Sequence, residues 1–193
     1  MKNVARCTAL LLPLLFALNA GATTYVAVLN GLNESPPNAS PGFGDATVIF
    51  DTSLHTLDIT VNFSGLVGIT TASHIHCCTA VAETGTAPVA TQVPVFAGFP
   101  LGVGSGTYHN VWDTSLASTW NPSFITNHGG STAAAEIAFA TGLMGKLAYL
   151  NIHTNTFPGG EIRGFLTPVP EPSNWAMLLA GLVPVLLWRS RKT

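Results

Sequence analysis

The chain has 193 residues, room for one domain plus short terminal segments, and only 8% of them are charged, against roughly 25% in an average soluble domain. Residues 23–167 carry eight acids and only two bases, Lys146 and Arg163, for a net charge of −6. That field repels phosphate backbones, so no nucleic-acid partner is expected.

In chain order, residues 1–22 read as a secretory signal peptide. Lys2 and Arg6 precede a short apolar run over residues 10–18, and Ala20-Gly21-Ala22 fits a small-x-small cleavage site. The run is too short to cross a hydrocarbon core of ~30 Å at 1.5 Å per residue. Cys7 would leave with the signal.

The body alternates at the period of two that marks half-buried strands. Strands are expected over residues 24–30, 46–50, 54–63, 73–76, 147–153 and 161–166. In the third, Leu57, Ile59, Val61 and Phe63 share one face. In the fifth, Leu147, Tyr149, Asn151 and His153 oppose Ala148, Leu150 and Ile152. Turns are expected over residues 65–68 and at Pro158-Gly159-Gly160. Asn121-Pro122 makes an N-cap and first-position pair for a short helix ended by Gly129, and residues 133–144 suit a longer one despite Gly142. The fold class is all-β: an antiparallel sandwich or small Greek-key barrel with one or two short helices in the connections.

At the C-terminus, Val169-Pro170-Glu171-Pro172-Ser173 precedes an apolar stretch over residues 175–188, and Arg189, Arg191 and Lys192 follow. Basic residues after an apolar segment stay in the cytoplasm while the preceding domain crosses the membrane. Trp175 and Trp188 stand where interfacial aromatics belong. This tail resembles the PEP-CTERM sorting signal, with Pro170, Glu171 and Pro172 as its motif. The resemblance implies an exported protein of a Gram-negative envelope, cleaved by an exosortase, often where extracellular polysaccharide is made. A plain single-span anchor remains the alternative.

Residues 27–37 (AVLNGLNESPP), 73–76 (SHIH), 149–154 (YLNIHT) and 158–164 (PGGEIRG) together resemble, in order, the blocks of the chordin-type CHRD domain, over residues 25–166. The resemblance implies an extracellular β-rich module and no agreed activity.

No G-x-S-x-G, P-loop, dinucleotide or H-E-x-x-H pattern is present in the sequence, so no catalytic set is expected. The chemistry-bearing group is histidine. His74 and His76 lie on one face of a strand, ~7 Å apart at 3.3 Å per residue, and His153 on another strand offers a third nitrogen. Such a set suits copper or zinc, with Cys77 or Cys78 as a further sulfur donor. The alternative is structural: the histidines fix loops through backbone or carboxylate partners, with Glu34 and Glu161 available as acceptors. Glu34, Glu161 and Arg163 are expected to form a polar network, with Glu161 and Arg163 paired to each other or to a neighbouring strand. Cys77 and Cys78 are open to a vicinal disulfide, intermolecular bridges or free thiols. His55, His109 and His128 have no spacing partners and read as surface residues.

Two functions follow. The first is an exported, exosortase-sorted binding or structural module in the envelope or extracellular matrix, contacting polysaccharide or another envelope protein. The second is an extracytoplasmic copper- or zinc-binding protein using His74, His76 and His153.

Overall fold

The structure, a computed structural model, describes residues 21–170. The expected signal peptide, except its last two residues, and the tail beyond Pro170, including Glu171 and Pro172, lie outside the described residues. Among the described residues no helix is long and apolar enough to cross a membrane.

Eight strands form one antiparallel sheet, curled into a half-barrel: β1 (Thr23–Asn30), β2 (Phe43–Asp51), β3 (Thr56–Ser64), β4 (Thr70–His76), β5 (Gly106–Asp113), β6 (Tyr149–Thr154), β7 (Ile162–Phe165) and β8 (Thr167–Pro168). The order across the sheet is β4-β6-β7-β1-β2-β3-β5, with β8 also on β1. The all-β expectation holds. The expected strands overlap every strand except the two-residue β8 and β5, where Asn110 interrupts the apolar face that Tyr108 and Trp112 would otherwise continue.

The meander β1–β2–β3–β5 alternates cleanly. Tyr25, Ala27 and Leu29 pack with Ala46, Val48, Phe50, Leu57, Ile59, Val61 and Phe63, while Val28 and Ile49 point outward. Fully burying a side chain of this size contributes roughly 1.5–3 kcal/mol, so the pattern fixes which face becomes core. Two helices sit against that core. The first, α1 (Pro122–Asn127), opens with the Asn121 side chain accepting from the Ser123 N–H, the expected cap. The second, α2 (Thr132–Met144), is capped by Ser131 and buries Ala135, Phe139 and Leu143.

Strands β4, β6 and β7 depart from alternation because both faces are covered. Residues 149–152 of β6 are all buried, as are 73–76 of β4. One face, with Ile75, Leu150, Ile152 and Ile162, joins the apolar core. The other carries the polar side chains. It is roofed by the segment between β4 and β5, which folds back through a bridge between His76 and Val89.

Candidate metal centre

Register places the histidines. In the β4–β6 pairing Ala72 opposes His153, His74 opposes Asn151 and His76 opposes Tyr149. Side chains two apart on a strand share a face, and directly paired residues share it too. All six therefore lie on the polar face, and the row continues to Arg163, which pairs with Asn151 in β7. Ala72 is small, so His153 has room to lean towards His74.

The three imidazoles converge. Their ring centroids lie 6.0 Å apart for His74–His76, 5.4 Å for His74–His153 and 5.8 Å for His76–His153. One ring nitrogen of each lies within 4.8 Å of the other two. The remaining nitrogens are tied to backbone carbonyls: His74 Nε2 to Pro94 at 2.6 Å, His76 Nδ1 to Ala87 at 2.8 Å and His153 Nδ1 to Pro158 at 3.0 Å. A carbonyl only accepts, so each tied nitrogen carries a proton, and in the neutral ring the other nitrogen holds a free lone pair. Those free atoms, His74 Nδ1, His76 Nε2 and His153 Nε2, are buried and have no hydrogen-bond partner.

Burial acts the same way on all three rings. Desolvation holds each imidazole below its ordinary pKa, and pushes His76 down to about 4 against the opposing bond to Ala87. The trio is thus a set of neutral nitrogen donors, which is the form that binds a transition metal. Three points within 4.8 Å of one another admit a common centre no more than about 2.8 Å from each. Zinc–nitrogen bonds are ~2.0–2.1 Å, so each ring needs to close by less than about 1 Å.

The other expected site residues resolve differently. The sulfurs of Cys77 and Cys78 are joined to each other as a vicinal disulfide, so the intermolecular and free-thiol alternatives do not describe this structure. Neither sulfur belongs to the histidine cluster: Cys77 faces the core with Ile75, on the opposite side of the strand. Gly142 of α2 gives the disulfide its space, because a Cβ there would meet the two sulfurs at 2.3 and 2.4 Å.

The polar network exists in two parts, and Glu161 does not pair with Arg163. Glu161 is fully buried and accepts from Ser40 Oγ, Thr154 Oγ1 and the Val67 and Gly68 N–H groups. Burial pushes its carboxyl up, but these four donors outweigh burial and hold it below its ordinary range. Arg163 instead donates to the Asn33 and Gly85 carbonyls and stands 3.8 Å from Glu34. Both acids are remote from the role of histidine acceptor, which backbone carbonyls fill. Desolvation raises the Glu34 carboxyl to about 7, outweighing the attraction of Arg163.

The remaining histidines do have partners. His55 Nδ1 lies 2.9 Å from Glu136, His109 Nε2 3.1 Å from Asp58, and His128 Nδ1 donates to the Phe124 carbonyl at 2.8 Å. His55 and His109 are surface residues as expected, but their carboxylate partners, remote in sequence, and the local bond of His128 were missed. Sequence reasoning also missed the orienting carbonyls of Ala87, Pro94 and Pro158. Every residue has a carbonyl, so residue type carries no signal for them.

The CHRD domain profile matches residues 25–166, which takes in every strand that builds the centre. No curated protein and no solved structure shows significant similarity to the chain. The match covers well over half of the sequence, and the chain belongs to the CHRD domain family.

Proposed function

We propose that this chain is an exported CHRD-domain protein that binds one transition-metal ion, copper or zinc, through His74, His76 and His153. One observation carries the reading: three neutral imidazoles whose second nitrogens are anchored on carbonyls leave three buried lone pairs unpartnered at one point. A buried polar atom without a partner costs about 1–3 kcal/mol, and an ion at the centre would satisfy all three at once. Anchoring of the distal nitrogen to a carbonyl is also how metal-ligating histidines are commonly oriented. The activity proposed is binding rather than catalysis.

Calorimetric titration of the purified protein with copper and with zinc tests this. Stoichiometric one-to-one binding supports the proposal, and the absence of both would leave the histidines structural. Export rests on the terminal segments. Intact-mass measurement of the native protein should find a chain starting near Thr23 and ending near Pro172. Retention of residues 175–193 would make the tail an anchor instead of an exosortase substrate.

A second reading concerns the outer face beside the centre. A shallow groove of about 750 Å³ runs over β1, β2 and β7, lined by Val28, Asp45, Glu83, Arg163 and Phe165 among others. Its acids beside the half-buried ring of Phe165 suit contact with extracellular polysaccharide. Co-sedimentation with polysaccharide from the producing cells, lost on changing Phe165 to Ala, tests it.

A further inference from the structure

We propose that the centre is built for monovalent copper, Cu(I), in preference to Cu(II) or Zn(II); this rests on the metal reading above and specifies its ion. The donor set is three neutral nitrogens with no anion in it: among the described residues the cluster contains His74, His76 and His153 and no carboxylate or thiolate. The lone pairs are buried, and His74 and His76 are only 7% and 9% exposed. An ion seated there keeps its full charge in a poorly solvated place. The desolvation cost of an ion grows with the square of its charge, so a divalent ion is penalised roughly four times as much as a monovalent one.

A buried charge behind the His76 ring has the same sign as the metal. The Arg163 guanidinium carbon lies 4.6 Å from the Tyr149 ring centroid, and Tyr149 in turn stacks on His76 at 4.8 Å. Arg163 is itself buried, and its closest acid, Glu34, is 3.8 Å away with its carboxyl raised to about 7, so that it neutralises Arg163 only in part near neutrality. A positive neighbour behind a ligand ring disfavours each added unit of metal charge.

Coordination geometry points the same way. Cu(II) prefers a square-planar or tetragonal set, and Zn(II) takes four ligands in a tetrahedron. Three converging imidazoles supply three of those positions, so Cu(II) or Zn(II) would each need a further ligand, such as a water, brought into the buried site. A d¹⁰ monovalent ion has no such geometric demand and is satisfied by three nitrogens.

The test is competition on the purified full chain. Cu(I) is presented from a chromogenic Cu(I) chelator under anaerobic ascorbate, and Zn(II) and Cu(II) from matched chelators. Cu(I) should bind one-to-one and at least about 100-fold more tightly than Zn(II). X-ray absorption of the Cu(I)-loaded protein should show a shell of three nitrogens. Because ascorbate conditions expose the disulfide to reduction, a Cys77→Ser/Cys78→Ser variant should keep the same Cu(I) affinity. Sulfur in the metal shell would overturn the proposal, and so would tighter binding of Zn(II) or Cu(II), which would leave the metal reading standing. Failure of all three ions to bind would overturn both.

Discussion

Tyr149 lies flat on His76, with ring centroids 4.8 Å apart and planes 6° from parallel, and both side chains hold Ala87. His76 Nδ1 donates to the Ala87 carbonyl at 2.8 Å, and the Tyr149 hydroxyl bonds the Ala87 N–H at 3.2 Å and its carbonyl at 3.3 Å. The pair therefore pins the roof segment to the sheet and sets the orientation of the His76 ring in the same contact. Changing Tyr149 to Phe keeps the stacking and removes the hydroxyl. Stability should fall by about 1 kcal/mol, and metal affinity by up to about 10-fold, since outer-shell partners act on affinity at that scale. Paired denaturation and metal titrations would show whether the two losses occur together.

Removing one ligand should remove the site. His153→Ala should abolish one-to-one metal binding, because two nitrogens remain, while the fold persists: His153 lies near the end of β6, and among the described residues its side chain hydrogen-bonds to the Pro158 carbonyl alone. His55→Ala should leave metal binding unchanged and cost stability alone, through its contact with Glu136. Calorimetry of both variants, with circular dichroism as the check on folding, separates the two effects.

Replacing Gly142 with Ala should reverse the usual sign of that change. Ala in a helix interior ordinarily stabilises by roughly 0.5–1 kcal/mol relative to Gly. Here the new Cβ would meet Cys77 Sγ and Cys78 Sγ at 2.3 and 2.4 Å, a joined pair that has little freedom to move aside. A loss of about 1–3 kcal/mol is expected from this overpacking. Adding Cys78→Ala should recover part of it, and a thermal melt of the single and double variants measures the coupling.

The two glycines after Pro158 should differ sharply. Gly160 has φ +133°, and a Cβ on it would meet the Asn151 side chain at 2.4 Å and Glu34 Oε1 at 2.7 Å, whereas a Cβ on Gly159 meets nothing within 4 Å. Gly160→Ala should therefore destabilise by more than 1 kcal/mol, on the order of the cost of a strained backbone position plus displaced polar groups. Gly159→Ala should melt close to the parent.

Glu34 should impose a pH dependence of its own. Its carboxyl, ordinarily at 4.5, is raised to about 7 in the fold by burial. Between those values the folded chain holds a proton that the unfolded chain releases, so this group lowers stability as pH rises from 4.5 to about 7. The full effect is on the order of 3 kcal/mol. Glu34→Gln should flatten that part of the stability–pH curve and gain relative to the parent above pH 7. Urea denaturation across pH 4.5–8 checks both the window and the sign.

Much of this was written locally. Alternation in residues 54–63, the Asn121-Pro122 cap and the H-x-H spacing of His74 and His76 are properties of adjacent residues, and the chain's sheet, helix start and two-histidine face follow from them. The same periodicity places Tyr149, Asn151 and His153 on one face of a strand whatever its pairing. Residue types, spacing and face are short-range facts, fixed by the geometry of a pleat or a helical turn.

Tertiary structure decided the rest because it concerns distance between remote residues. That His153 meets His74 depends on the β4–β6 register, set by burial of Ile75, Leu150 and Ile152 on the far face. That Glu161 binds the Val67 and Gly68 N–H groups, while Arg163 goes to Asn33 and Gly85, depends on loops that residue spacing does not describe. The carbonyls of Pro94, Ala87 and Pro158 orient the imidazoles only because folding brings the roof segment and the β6–β7 turn over the polar face. The sequence determined which donors the protein has; the long-range packing of its core determined that three of them share one point.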